Sequence, residues 1–179
     1  MSNIFAKLDR YGIVELKVTD NIVYLPEGIE SLQGMDFDGF CTMEGLYIPK
    51  TIKSVHWNGV GRCDFKRFIV NPENETFVAY DGILYTKVGL NRDSKTKRKK
   101  WSELVACPTN VEKVVIKNGT KGISNCAFKG SNVIEVILPD GLEEIGTNAF
   151  YMTPNLRSFE IPAFVKLIGS IGNTKLKHL

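Results

Sequence analysis

Histidine is scarce in this chain, and that scarcity narrows the chemistry first. Only His56 and His178 occur among its 179 residues. A general base needs a positioned hydrogen-bond partner. Neither Val55-His56-Trp57-Asn58 nor the tail Lys177-His178-Leu179 supplies one by spacing. G-x-S-x-G, H-E-x-x-H and a phosphate-cradling glycine loop are also missing. Asp140, Glu143 and Glu144 cluster only because turns collect them, and they read as solvated. The expectation is a chain that is not an enzyme.

Closely spaced cysteines are missing as well. Cys41, Cys63, Cys107 and Cys126 stand 22, 44 and 19 residues apart, with no C-x-x-C pair. Zinc ligands usually arrive in close pairs, so neither a metal nor another cofactor is implied. The four are read as reduced, buried residues acting as small hydrophobes. No apolar run approaches the ~20 residues that span a bilayer. The opening Met1-Ser2-Asn3-Ile4-Phe5-Ala6-Lys7 lacks the basic start and apolar block of a leader. Cytoplasmic placement is the expectation; a trimmed leader would instead put the chain at the cell surface or outside.

What the chain does have is a repeat. Val114-Val115-Ile116 to Cys126-Ala127-Phe128 matches, in character, Val136-Ile137-Leu138 to Asn148-Ala149-Phe150, 22 residues later. Further copies open at Val23-Tyr24-Leu25, Leu46-Tyr47-Ile48 and Phe159-Glu160-Ile161, and a degenerate one at Phe68-Ile69-Val70. The residue closing each triplet's strand falls at Pro26, Pro49, Asn71, Lys117, Pro139 and Pro162. These steps are 23, 22, 46, 22 and 23, and the 46 is two repeats, leaving one altered turn within 72–108.

Each unit has a physical reading. The alternating triplet is a half-buried strand, and proline ends it by withholding an N–H from the ladder. A turn follows, as at Asp140-Gly141, then a second short strand near Leu142 to Ile145. The Ala-Phe step closes the coil and plugs the core. One coil cannot bury its own apolar face, so neighbours must stack. The expected architecture is a mainly β repeat solenoid of about six to seven coils, one domain over residues 1–179, with a parallel sheet on one face. Residues 1–19 should form a capping strand. The tail 175–179 lacks a polar cap, so the last coil is either exposed or covered, for instance by a second copy in a homodimer.

Two surface features invite a partner. The middle residue of each triplet points outward: Tyr24, Tyr47, Ile69, Val115, Ile137 and Glu160, five of them apolar or aromatic. Stacked about 4.8 Å apart they would make a continuous ridge, and contiguous exposed apolar surface marks interaction sites. β-propensity alone would also favour such residues. The second feature is the segment Lys87 to Lys100, which carries seven basic residues and Asp93, net +6; the chain totals +3, so the remainder is −3. Lys95, Lys97, Arg98, Lys99, Lys100 and Trp101 would sit at the tip of a hairpin. That tip could be solvated without a partner, dock on an acidic protein surface, or grip phosphates and stack a base. Asn74-Glu75-Thr76 and Asn118-Gly119-Thr120 fit the glycosylation pattern and would stay silent without secretion.

The pattern L-x-x-I-x-I-P-x-x-V-x-x-I-G-x-x-A-F, carried by Asn155-Leu156-Arg157-Ser158-Phe159-Glu160-Ile161-Pro162 and Glu144-Ile145-Gly146-Thr147-Asn148-Ala149-Phe150, resembles the BspA-type leucine-rich repeat. Asn74-Glu75-Thr76-Phe77-Val78-Ala79-Tyr80-Asp81-Gly82-Ile83-Leu84-Tyr85 is similar to a hairpin inserted in such arrays, with Leu104-Val105-Ala106-Cys107-Pro108 as its returning strand. The resemblance covers about 20–170. It implies a right-handed leucine-rich-repeat coil with one β-hairpin insertion over 83–108, and a family that includes surface adhesins. The function expected is non-catalytic protein binding through the sheet face and the basic hairpin, with surface adhesion and nucleic-acid binding as alternatives.

Overall fold

The computed structural model describes residues 3–9, 12–33, 43–56, 65–87, 102–157 and 161–170. All regular structure among them is strand. The alternating triplets fold as expected. β3 (Ile22–Tyr24), β5 (Gly45–Ile48) and β7 (Phe68–Val70) lie parallel, with Tyr24 opposite Tyr47 and Tyr47 opposite Ile69. β11 (Lys113–Val115) and β13 (Glu135–Ile137) repeat this arrangement, with Val115 opposite Ile137. Sequence offset and register therefore agree: one coil advances the chain by one strand.

The second strand of each coil stacks likewise. β4 (Ser31–Gln33) pairs with β6 (Ser54–His56). Further along, β12 (Thr120–Ile123), β14 (Glu144–Ile145) and β15 (Leu167–Ile168) run parallel. Glycine in the Ile-Gly step permits close stacking. A Cβ on Gly146 would lie 2.5 Å from Asn125 N, and one on Gly169 2.5 Å from Thr147 N.

The coils close on the Ala-Phe step. Ala127, Phe128, Ala149 and Phe150 are buried, and the two phenylalanine rings stack with centroids 4.8 Å apart. Such stacks add to the area the rings remove from water. Backbone bonds carry the step from coil to coil, as Phe128 N donates to Ala149 O at 2.8 Å.

Two expectations need correction. The single capping strand is a pair: β1 (Asn3–Asp9) runs antiparallel to β2 (Gly12–Thr19), and β2 antiparallel to β3. Two strands extend the sheet and move its edge away from the first coil. Among the described residues four coils carry both strands, β3–β4, β5–β6, β11–β12 and β13–β14, fewer than six to seven. The turn after β7 is a meander, and the first strand of the coil that holds β15 falls on residues 158–160, outside those described.

In that meander β8 (Phe77–Tyr80) turns at Asp81-Gly82 into β9 (Ile83–Thr86), and β9 runs antiparallel to β10 (Ser102–Ala106), which lies parallel to β12. Asp81 and Gly82 both have positive φ, 50° and 75°, the geometry of a two-residue hairpin turn. This insertion lies deep. All four residues of β9 are buried. Leu84 and Val105 pack into the core of the first coils, whereas Ile83, Tyr85 and Leu104 pack into that of the later ones. The β9–β10 ribbon is thus a partition between two cores. Of the cysteines, Cys107 is a buried thiol and Cys126 a half-buried one. Cys41 and Cys63 lie outside the described residues.

Asn74 anchors the entry to the meander. It is fully buried; its amide donates to Pro49 O (2.7 Å) and Ile52 O (3.1 Å) and accepts from the N–H groups of Thr76 (2.8 Å) and Phe77 (2.7 Å). A side chain so engaged cannot carry a glycan in the folded protein. Asn118, in the other sequon, is exposed.

Candidate functional site

The outward column is built by alternation. Val23 and Leu25 point into the core and Tyr24 out; Leu46 and Ile48 in and Tyr47 out; Val114 and Ile116 in and Val115 out. Tyr24 and Tyr47 are half-buried by each other, their rings tilted at 34° with centroids 5.1 Å apart. Lys17 of β2 stands opposite Tyr24. Ile69 continues the row and is half-buried. Val115 and Ile137 are 61% and 42% exposed, the first among the most open large hydrophobics described. Beside them Lys113 and Glu135 pair at 3.1 Å.

The column is not one continuous ridge. Tyr24, Tyr47 and Ile69 belong to one sheet, Val115 and Ile137 to another. The meander stands between them because the coil after β7 lacks an ordinary first strand among the described residues. There Tyr80, 38% exposed, carries the Lys117 ammonium 3.2 Å from its ring centroid and meets Tyr85 edge-on at 5.7 Å. Tyr80 does not follow from alternation, although its place before the Asp81-Gly82 turn was the available signal. Burial pushes the Tyr85 hydroxyl up to about 12.

Glu160 and the basic residues Lys95, Lys97, Arg98, Lys99, Lys100 and Trp101 lie outside the described residues, as do the ring of His56 and all of His178. The segment's bases are in place: Lys87 follows β9, and Ser102 opens β10.

Elsewhere, charge is paired coil to coil. Lys50–Glu73, Lys53–Glu30, Lys66–Glu44 and Lys166–Glu143 each join residues 22 or 23 apart. The Lys66 ammonium holds the Glu44 carboxyl below its usual value, and the Glu73 carboxylate holds Lys50 above its own. Exposed pairs of this kind contribute little to stability. Burial pushes the Cys107 thiol up, and the Cys126 thiol too, against the pull of Lys129. Neither is an activated thiolate. Among the described residues no group of three or more His, Cys, Asp or Glu could hold a metal, and no helix is long and apolar enough to cross a membrane.

These coils define a leucine-rich-repeat type of solenoid. Residues 105–177 match the family model described as a BspA type leucine rich repeat region, in six copies. Among solved structures, the chain is similar to a leucine-rich repeat protein from Eubacterium ventriosum, with TM-score 0.57 and 24% identity over 70% of this chain and 32% of that one. It is also similar to the pneumococcal vaccine antigen PcpA, with TM-score 0.53 and 23% identity over 79% of this chain and 38% of that one. The chain thus spans about a third of the length of these two proteins. None of the curated proteins matches it.

Proposed function

We propose that this chain is a protein-binding repeat module that receives its partner on the outward column, Tyr24, Tyr47, Ile69, Val115 and Ile137, with Lys95, Lys97, Arg98, Lys99, Lys100 and Trp101 as a second contact. The observation that carries the reading is the column itself. Strand propensity alone would justify these five side chains, yet Val115 and Ile137 stay 61% and 42% exposed. Stacked coils present such columns as extended surfaces, and tyrosine is favoured at interfaces. The basic segment would add a steering field for an acidic partner. The compartment that goes with this reading is the cytoplasm.

A pull-down from the native cytosol, repeated across salt concentrations, tests it. Tyr24→Ala with Tyr47→Ala should weaken capture of the same protein by about thirtyfold at every salt concentration, the size of an interface hot spot. Neutralising Lys97 to Lys100 should weaken it mainly at low salt, where screening is slight. Parent-like capture by both variants sinks the assignment. Nucleic acid alone in the eluate, lost steeply with salt, would transfer the function to the basic segment.

A second reading is adhesion at the cell surface; PcpA, which this chain resembles in fold, is a pneumococcal vaccine antigen. Immunolabelling of intact native cells separates the two. Surface signal favours adhesion, and signal only after permeabilisation favours the cytoplasmic module.

A further inference from the structure

The first-strand column breaks after β7, and the break has chemistry of its own. Leu46 N donates to Arg67 O (3.1 Å) and Asn71 N to Ile48 O (2.9 Å), so the groups of Ile69 between them face β5. By alternation Phe68 and Val70 face the other edge. Phe68 N–H is met there by Gly82 O at 2.8 Å. At Val70, two residues on, no strand follows among the described residues, since β7 ends its sheet. A concavity of about 360 Å³ opens instead. Ile69 and Val70 of β7 line it, together with Val78 and Ala79 of β8. Its charged lining residues are Arg67 and Lys87, with no carboxylate. The Lys87 ammonium donates to Asn74 O, which holds the cation at the rim.

We infer that this concavity takes an extended acidic peptide segment of a partner protein, which adds as a strand to the outer edge of β7 at Val70. The inference rests on the protein-binding reading and deepens it. Strand addition draws affinity from main-chain bonds and selects side chains at alternate positions. Here Val70 supplies main-chain groups, apolar walls accept small side chains, and two cations select negative charge. The recess also accounts for an open edge being tolerated. Flat exposed edges invite other sheets, whereas a slot walled by β8 admits a single extended chain.

The test uses the whole chain and a fluorescent peptide alternating aspartate and valine. Two controls go beside it, one with lysine for aspartate and one N-methylated at the valines. The acidic peptide should bind, with exchange of the Val70 amide slowed in its presence. Each control, and the Arg67→Glu variant with the parent peptide, should bind at least about tenfold more weakly. Absence of binding by the acidic peptide overturns the inference, as does equal binding by the N-methylated one. Binding that is lost in the Tyr24→Ala, Tyr47→Ala variant, with Val70 exchange unchanged, overturns the groove and leaves the outward column standing.

Discussion

Asn74 offers the sharpest test of how the coils are held. Its side chain is fully buried and makes four hydrogen bonds, two donated and two accepted, that tie the β7–β8 turn to the coil before it. Asn74→Ala leaves two carbonyls and two N–H groups without partners. Each buried group so stranded costs about 1–3 kcal/mol. Thr76 is only half-buried, so three stranded groups set the expected loss, at least about 3 kcal/mol. Against a total stability of about 5–15 kcal/mol that is a large fraction. Asn74→Asp separates hydrogen bonding from shape. Its carboxylate still accepts from Thr76 and Phe77 but cannot donate to Pro49 O and Ile52 O and faces them with negative charge. Urea unfolding measures both variants. An alanine variant within about 1 kcal/mol of the parent, or an aspartate variant as stable as the parent, refutes the reasoning.

Other expectations follow from burial and backbone. Phe150→Ala removes one ring of the stack and should cost about 3–5 kcal/mol in denaturant unfolding, whereas Ile137→Ala, on the outward column, should stay within about 0.5 kcal/mol. Similar losses would mean that inward and outward are misassigned. The Tyr85 hydroxyl, raised from 10.0 to about 12 by burial, contributes stability below pH 10 that is lost as pH climbs through 12, roughly 2 kcal/mol. The stability difference between parent and Tyr85→Phe should narrow or reverse over that window, and a constant difference contradicts it. Cys126 has φ of 58°, and Asn148, one coil on, has 56°. Asparagine tolerates that region better than most residues, so Cys126→Asn should raise stability by about 0.5 kcal/mol; a lower unfolding midpoint speaks against it.

The coil was legible because its two signals are short-range and repeated. Alternation in Val23-Tyr24-Leu25 or Val114-Val115-Ile116 fixes which residues enter the core, and the 22- or 23-residue offset fixes which strands meet. The meander was legible as a motif but not in depth. Ile83-Leu84-Tyr85-Thr86 shows no alternation, as expected of a strand buried on both faces, yet nothing local says that two cores lie on either side. The break in the outward column follows from that depth, and so do the roles of Tyr80 and Lys117, 37 residues apart in sequence. Asn74 stood in the hairpin motif, but its bonds reach Pro49 and Ile52 one coil back, a relation no local pattern expresses. The capping pair escaped because β1 precedes any repeat against which to align it.

The central claim is that partner protein lies across the outward column. Photo-crosslinking in native cells tests it most directly, with a photoreactive phenylalanine placed singly at positions 24, 47 and 137 and, as controls, at the exposed positions of Glu27 and Asn125. The account predicts one shared protein adduct from the three column positions and none from the controls. Adducts only from the controls, or none from any column position, would contradict it.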